Sequence, residues 1–524
     1  MKKIDPNAIT VRKVLCPFCS FGCEFGVVFN DFGIKGAEYV KGGSSGGRLC
    51  PRGSAAAMYL DHPRRLAVPM KSDKPVVWSK MVKELSKVIG SPKSVAVTFD
   101  RNVTAEEYAA IVGFCQSVGI EYIASSYFEP ENCLRSFLDQ PFAATDFDRA
   151  KIIFVLGDLF NQAPMSSRAI IEWKMKDKKN ELVVIDSLNT HTAGFANRFL
   201  KVKVGTEPLL LFGLVQENIE GVDIAKATGI DGSIIKQLSK AIKGGDKGLV
   251  FACLPFGHTY DPALYAEGLH EMHDYSGMKI VPFVEFAGYD GNQNFGSILE
   301  KVKKKKIKTL FNFGELFPFY YPQLASDLKN LDIYATSTLK HKGYTMLPVP
   351  LTIEKEGTVV TSFGKKKLTG GIEPPSGTKS IEDILGLLSN GFGKGRQLRA
   401  PERKLDIKER AQRISESSMA KKRSLRLIGE KIAFNFLGFF ESESLKMNPA
   451  DAMELGIAAN DIVSVSSKHG TEHLPVKITE DVSQGIVAVP AESPGVRGLF
   501  EYEIDTELGS VNFIPTEVKI CRKE

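Results

Sequence analysis

Cys16, Cys19, Cys23 and Cys50 stand in a C-x2-C-x3-C-x26-C pattern that brings four thiolates to one centre. Thiolates are soft ligands, and a set of four suits either a tetrahedral zinc or a [4Fe-4S] cube. A structural zinc site usually pairs two C-x2-C knuckles. Here three ligands crowd one tight loop and the fourth follows far downstream, so that one loop wraps three corners of a cube and a second segment closes it. The spacing predicts an iron–sulfur cluster, with zinc or unligated thiols as the alternative. Gly22, Gly26, Gly42, Gly43, Gly46 and Gly47 surround the ligands and permit close backbone approach. Phe18, Phe21 and Leu49 would keep water from the sulfurs.

The elements that must position such a centre follow from the pattern of the remaining chain. A length of 524 residues allows about three or four domains. A hydrophobic content of 43% and a charged content of 25% are those of an ordinary globular protein. The net charge of +6 is modest for this length and predicts no nucleic-acid partner. The basic run Lys301 to Lys308 reads as a solvated helix end, or less simply as a surface for an acidic partner. Cys115, Cys133, Cys253 and Cys521 are isolated, which argues against a disulfide framework and for a reducing compartment. The opening M-K-K-I-D-P-N-A-I-T-V-R-K-V lacks an apolar signal core, and no apolar run reaches the roughly 18 residues of a membrane span. The expectation is a cytoplasmic protein with no direct membrane insertion.

Residues 1–70 read as a Gly- and Cys-rich module. Apolar runs such as S-V-A-V-T-F, K-I-I-F-V-L-G and E-L-V-V-I-D then alternate with helical patterns, which predicts parallel sheets covered on both faces. A second series contains G-L-V-F-A, K-I-V-P-F-V and T-L-F-N-F-G. Between about Gly370 and Arg423 the chain turns polar and reads as a linker or surface excursion. The last hundred residues carry short strands with turns, a small β-barrel pattern. The expected division is 1–70 for the cluster module, 71–135 with 305–425 for one α/β domain and linker, 136–304 for a second α/β domain, and 426–524 for the barrel.

In this order the motifs resemble those of the molybdopterin-dependent oxidoreductases, the group of formate dehydrogenase catalytic subunits and the large iron–sulfur subunit of bacterial complex I. The resemblance rests on the cysteine loop with C-P-R-G, on K-I-I-F-V-L-G-D-L-F, on G-Y-D-G-N-Q-N-F-G, on L-F-N-F-G-E-L-F, on E-K-E-G-T-V-V-T-S-F-G-K and on M-N-P-A-D-A-M-E-L-G-I with N-D-I-V-S-V-S-S. It implies an α/β fold with an N-terminal [4Fe-4S] module, two doubly wound domains of the bis-molybdopterin type and a C-terminal dinucleotide-binding barrel. It implies that Arg52 lies between cluster and pterin as an electron relay. It also places Gly157, Asp186, Gly205, Gly291, Asn292 and Asn294 at strand-end turns or loops that meet a bis-molybdopterin guanine dinucleotide carrying molybdenum or tungsten.

Two stretches depart from the family pattern. Where members carry a metal-ligating residue in a run resembling C-A-R-V-C-H-S-P, this chain reads E-N-C-L-R-S-F-L-D-Q-P-F, with Cys133 as the candidate ligand. Where many members read D-P-R-x-T, Asp186 is followed by S-L-N-T-H-T-A, leaving His191 as a candidate donor in place of an arginine. These departures favour an iron–sulfur redox subunit that relays electrons to flavin- and iron–sulfur-containing partner subunits over a degraded metal site. The alternative is a catalytic molybdenum or tungsten enzyme resembling formate dehydrogenase, with Cys133 on the metal. A scaffold with a merely structural cluster is the third reading.

Overall fold

The structure is a computed structural model. It describes residues 9–40, 43–100, 103–125, 130–139, 142–216, 218–244, 248–284, 295–314, 321–389, 391–393, 395, 405–418, 424–433, 443–505 and 507–523. The expected site residues Gly291, Asn292 and Asn294 lie outside the described residues. The chain forms two compact units, each assembled from discontinuous segments. The first comprises Met1–Tyr127, Glu285–Arg403 and Ile504–Val511; the second comprises Phe128–Val284, Lys404–Glu503 and Asn512–Glu524.

In the first unit, Thr10–Leu15, Glu24–Asn30 and Gly33–Tyr39 form a three-stranded antiparallel sheet that carries the cysteine loop. A seven-stranded sheet follows, with spatial order Lys74–Pro75, Met70–Lys71, Thr345–Pro348, Asp332–Ser337, Thr309–Phe313, Val95–Phe99 and Tyr122–Ser125. Its five longer strands run parallel. Val95–Phe99 is buried along its whole length, as a strand covered on both faces must be. The helix Ala105–Val118 begins where sequence dictates: the Thr104 hydroxyl accepts from Glu107 N–H at 3.1 Å and the Glu107 carboxylate accepts from Thr104 N–H at 2.8 Å.

The second unit holds a five-stranded, wholly parallel sheet. Its order is Arg198–Lys201, Glu181–Asp186, Ile152–Leu156, Gly248–Ala252 and Lys279–Pro282. The chain starts in the middle strand, builds outward to one edge and then to the other, so the switch point falls between Ile152–Leu156 and Gly248–Ala252. A closed six-stranded barrel of Leu425–Glu430, Ile486–Pro490, Leu445–Met447, Thr471–Ile478, Ile462–Ser466 and Thr516–Arg522 completes this unit. The α/β architecture and the barrel agree with the sequence expectation. Among the described residues no helix is long and apolar enough to cross a membrane.

Two placements differ from expectation. The helix Phe295–Lys303 packs beside Tyr122–Ser125 in the first unit, across the expected boundary at 304, because Phe295, Ile298 and Leu299 form a buried face. The segment read as a linker contains two packed helices. Ile381–Leu388 buries Ile381, Ile384 and Leu385 in the core built on Met81, Leu85 and Phe114. Ile407–Ser418 buries Ala411 and Ile414 against Phe212 and Leu264. Short amphipathic stripes among many charged residues gave these helices little contrast. Because Leu385 is fully buried, Leu385→Ala is expected to cost about 2–5 kcal/mol, read as a lower midpoint in urea unfolding.

Candidate functional site

The cysteine loop is a turn whose ends are tied together. Cys16 N–H donates to Cys23 O at 2.7 Å and Gly22 N–H donates to Cys19 O at 3.2 Å. Gly22 has φ +61°, and a Cβ there would meet Thr361 Cγ2 at 2.7 Å, so both conformation and space demand glycine. Thr361 belongs to the hairpin of Glu356–Thr361 and Gly364–Thr369, whose tip lies against the loop. There Ser362 N–H donates to Ser20 O at 2.7 Å, the Ser20 and Ser362 hydroxyls are 2.8 Å apart, and Phe363 stands edge-on to Phe21 at 5.0 Å. The Ser44 hydroxyl donates to Gly22 O at 2.8 Å, holding the glycine-rich stretch that leads to Cys50.

Cys50 opens a helical turn, Pro51–Ser54, that carries Arg52. All four thiols are buried, and so is the guanidinium of Arg52, which is 1% exposed. Burial pushes the Cys16 thiol well above its ordinary range, and the neighbouring Cys23, Cys50 and Cys19 push it further. Cys23 is raised the same way, with Arg52 pulling back. Cys16 and Cys23 therefore shed their protons readily only when a positive centre takes their place. Four buried thiols brought together by one loop and the helical turn after Cys50 are a donor set that fits a [4Fe-4S] cube. Phe18 and Phe21 are buried beside the sulfurs and Leu49 is half-buried.

A second set of residues gathers at the carboxyl ends of the five-stranded sheet. Gly157 ends Ile152–Leu156 with φ +83°, a conformation that favours glycine, and a Cβ there would press on Cys253 O at 3.0 Å. Asp186 ends Glu181–Asp186 and is 2% exposed. Gly205 has φ +74° and the Tyr260 ring where its side chain would be, at 2.4 Å, so conformation and space both demand glycine. His191 is exposed, with its ring edge-on to Phe195. Cys133 sits half-buried in the 3-10 segment Pro130–Asp139, close enough to Tyr265 for its charge to raise that hydroxyl further above the range set by burial and Cys253.

Residues not singled out in the sequence complete this cluster. His258 Nε2 lies 3.1 Å from Ser187 Oγ, 3.5 Å from Glu207 Oε1 and 3.7 Å from Asp186 Oδ1. Its Nδ1 faces Gly429 O at 3.5 Å. Thr192 donates to Asp158 at 2.6 Å while accepting from Phe160 N–H at 3.0 Å. Both carboxylate oxygens of Glu207 lack a hydrogen bond, although the residue is 4% exposed. Open acceptors of this kind fit a ligand that presents N–H groups, such as the edge of a guanine base. Glu207 follows the strand-end Gly205 by two residues and His258 follows the strand G-L-V-F-A, so polar residues just past parallel strands were the available signal.

Comparison with known proteins gives this geometry a family. Residues 9–62 match the molybdopterin oxidoreductase Fe4S4 domain and residues 437–514 match the molydopterin dinucleotide binding domain. The chain thus carries two domains that are found in molybdopterin oxidoreductases. Among relatives, the F420-dependent formate dehydrogenase subunit alpha of Methanocaldococcus jannaschii is 23% identical over 74% of this chain and 71% of that protein. The NADPH-Fe(3+) oxidoreductase subunit alpha of Geobacter sulfurreducens is 26% identical over 46% of this chain and 30% of its own length. The assimilatory nitrate reductase catalytic subunit of Bacillus subtilis is 24% identical over 41% of this chain and 33% of its own length. Among solved structures, acetylene hydratase from Pelobacter acetylenicus shares the fold, with a TM-score of 0.73 at 13% identity over 98% of this chain and 100% of that chain. The family's domains are those for a [4Fe-4S] cluster and a molybdopterin dinucleotide.

Two outcomes are expected from this geometry. Cys19→Ala should remove the visible charge-transfer absorbance and the EPR signal of the cluster, with iron lost in proportion. The second concerns pH. Burial pushes Asp186 up to about 7; burial opposes the charge of His258, but Glu207 and Asp186 outweigh it and raise the imidazole to about 9. Both groups hold a proton in the folded state that the unfolded chain has released, Asp186 from its ordinary 3.8 to about 7 and His258 from 6.5 to about 9. Stability therefore falls as pH rises through these windows. The melting temperature should drop from neutral to alkaline pH, and His258→Gln should flatten that slope.

Proposed function

We propose that this chain is an iron–sulfur relay subunit of a multi-subunit oxidoreductase, passing electrons through one [4Fe-4S] cluster bound by Cys16, Cys19, Cys23 and Cys50. The observation that carries the reading is the burial of all four thiols with Arg52 in a loop closed by a hairpin tip. When bound, the cluster supplies one-electron transfer at a potential set by charge, burial and hydrogen bonds to sulfur. Arg52 offsets thiolate charge and favours the more negative, reduced state of the site. Phe18, Phe21 and the Phe363 tip exclude water, which lowers the reorganisation demanded of the surroundings when an electron moves. The alpha-subunit names of the relatives support partner subunits here as well; the partners would carry flavin and further iron–sulfur centres and work in the cytoplasm. In this assignment the cluster module is 1–70, the α/β domains are built around 71–135 with 305–425 and around 136–304, and the barrel is 426–524.

The same reading treats the metal site as lapsed. The turn after Asp186 has no arginine, Asp158 and Thr192 are bonded to one another, and His191 faces solvent. One observation favours the second reading, a catalytic molybdenum or tungsten enzyme of the formate dehydrogenase type. Glu207 keeps two open acceptors beside Asp186 and Gly205, where a dinucleotide's base could be held, and Cys133 would be its metal ligand. Elemental analysis of anaerobically purified protein separates the readings. About four Fe per chain with no molybdenum or tungsten is the expected result. Stoichiometric molybdenum or tungsten would overturn the relay proposal and make formate the first substrate to test.

A further inference from the structure

The glycine-rich stretch before Cys50 folds back onto the end of the cysteine loop. Gly43 comes so close that a Cβ there would meet Glu24 Cβ at 3.1 Å. The Ser44 hydroxyl donates to Gly22 O at 2.8 Å. Gly46 N–H donates to Gly43 O at 2.9 Å and closes a four-residue turn with Ser44 and Ser45 at its centre. Gly22 and Glu24 flank Cys23 in the chain, so the turn is fastened on both sides of that cysteine.

Ser44 and Ser45 spend their hydroxyls differently. Ser44 bonds a backbone carbonyl, the ordinary use of a serine in a turn. The Ser45 hydroxyl is buried, and no nitrogen or oxygen of the protein is hydrogen-bonded to it. A buried hydroxyl of this kind calls for a reason. The atom it addresses is a sulfur. Burial raises the Cys23 thiol, and Cys19 and Cys50 raise it further, whereas the Ser45 hydroxyl, as a donor, and Arg52 pull it back. The Phe18 backbone N–H acts on Cys16 in the same sense. Such donors favour the thiolate over the thiol because they stabilise negative charge on sulfur.

The same argument applies to an added electron. A cysteine sulfur on an iron–sulfur core carries more negative charge when the core is reduced, so a donor aimed at that sulfur favours the reduced form. Arg52 and Ser45 act on one corner, Cys23. Arg52 does so by charge. Ser45 does so through a proton that exchanges with solvent deuterium and can therefore be followed by itself.

We propose that Ser45 is a positioning residue for the cluster, donating an O–H···S hydrogen bond to Cys23 that holds the reduction potential up. The proposal rests on the cluster assignment above and holds for either reading of the metal site. Reduction adds one electron, supplied by a reduced partner centre, and neither breaks a bond nor moves a proton. Ser45 keeps its proton in both states.

Dye-mediated redox titration of the anaerobically purified full chain, followed by EPR, tests this. S45A and S45G both remove the donor, and glycine suits a stretch that already reads G-G-S-S-G-G. Each variant should retain about four Fe per chain. At a fixed potential each should lower the reduced-to-oxidised ratio by about threefold to tenfold, and tenfold is about 59 mV for a one-electron couple. S45T keeps a hydroxyl and should restore the native midpoint. ENDOR spectra of the reduced cluster should show a proton coupling that D2O removes, present in the wild type and S45T and absent from S45A and S45G. An unchanged midpoint in S45A and S45G with iron retained overturns the proposal, as does a D2O-sensitive coupling that survives intact in both. The wild-type spectrum alone overturns it by showing no such coupling. A wild-type chain without four-iron content overturns the cluster assignment itself, and the proposal with it.

Discussion

Four thiols buried beside one another repel as soon as they ionise, and the first unit is arranged around that constraint. The antiparallel sheet brings Cys16 and Cys23 to the two ends of one turn, and the turn before Arg52 brings Cys50. The buried guanidinium supplies a fixed positive charge that Cys23 feels directly. The hairpin 356–369 then seals the turn with hydrogen bonds to its backbone and with Leu368 and Val359 against Leu15. Removing water raises the electrostatic demand of the thiolates and at the same time makes an iron–sulfur core the means of meeting it.

A related balance governs the second unit. Asp158, Asp186 and Glu207 are buried at the carboxyl ends of parallel strands, and His258 is the cation placed among them. Buried acids of this kind persist in a fold only when a partner or a ligand satisfies them. Asp186 and Asp158 accept hydrogen bonds from the protein, whereas Glu207 faces His258 at 3.5 Å without one. Ser187 extends this acidic crevice toward the barrel, touching His258 while lining the neighbouring cavity.

How much of this was legible in the sequence depends on how local each feature is. The cluster ligands lie within one short segment and carry their chemistry in their spacing, so Cys16, Cys19, Cys23 and Cys50 could be read directly. The buried strands announced themselves as unbroken apolar runs, and the barrel as short strands between turns. The acidic crevice is different, because Asp186, Glu207 and His258 come from the ends of different strands and meet only when the sheet forms. Gly205 was legible as a required glycine, but its reason, the ring of Tyr260, is 55 residues away in sequence. The helix Ile381–Leu388 was hidden by the G-G-I-E-P-P-S-G stretch before it, whose turn residues dominated the local pattern.

The hairpin that closes the cysteine loop has a consequence for how the protein is made. Ser20 and Ser362 are 342 residues apart in the chain. At a synthesis rate of about 5–20 residues per second, the loop waits roughly 20 to 70 s on the ribosome before its cover is translated. Throughout that interval the thiols are open to metal delivery and equally open to oxidants. Cluster insertion is therefore easiest during translation and becomes hindered afterwards, so a chain released without its iron would have to reopen the hairpin to receive it. For such a protein the timing of iron–sulfur supply relative to the ribosome governs the yield of active molecules as much as thermodynamic affinity does.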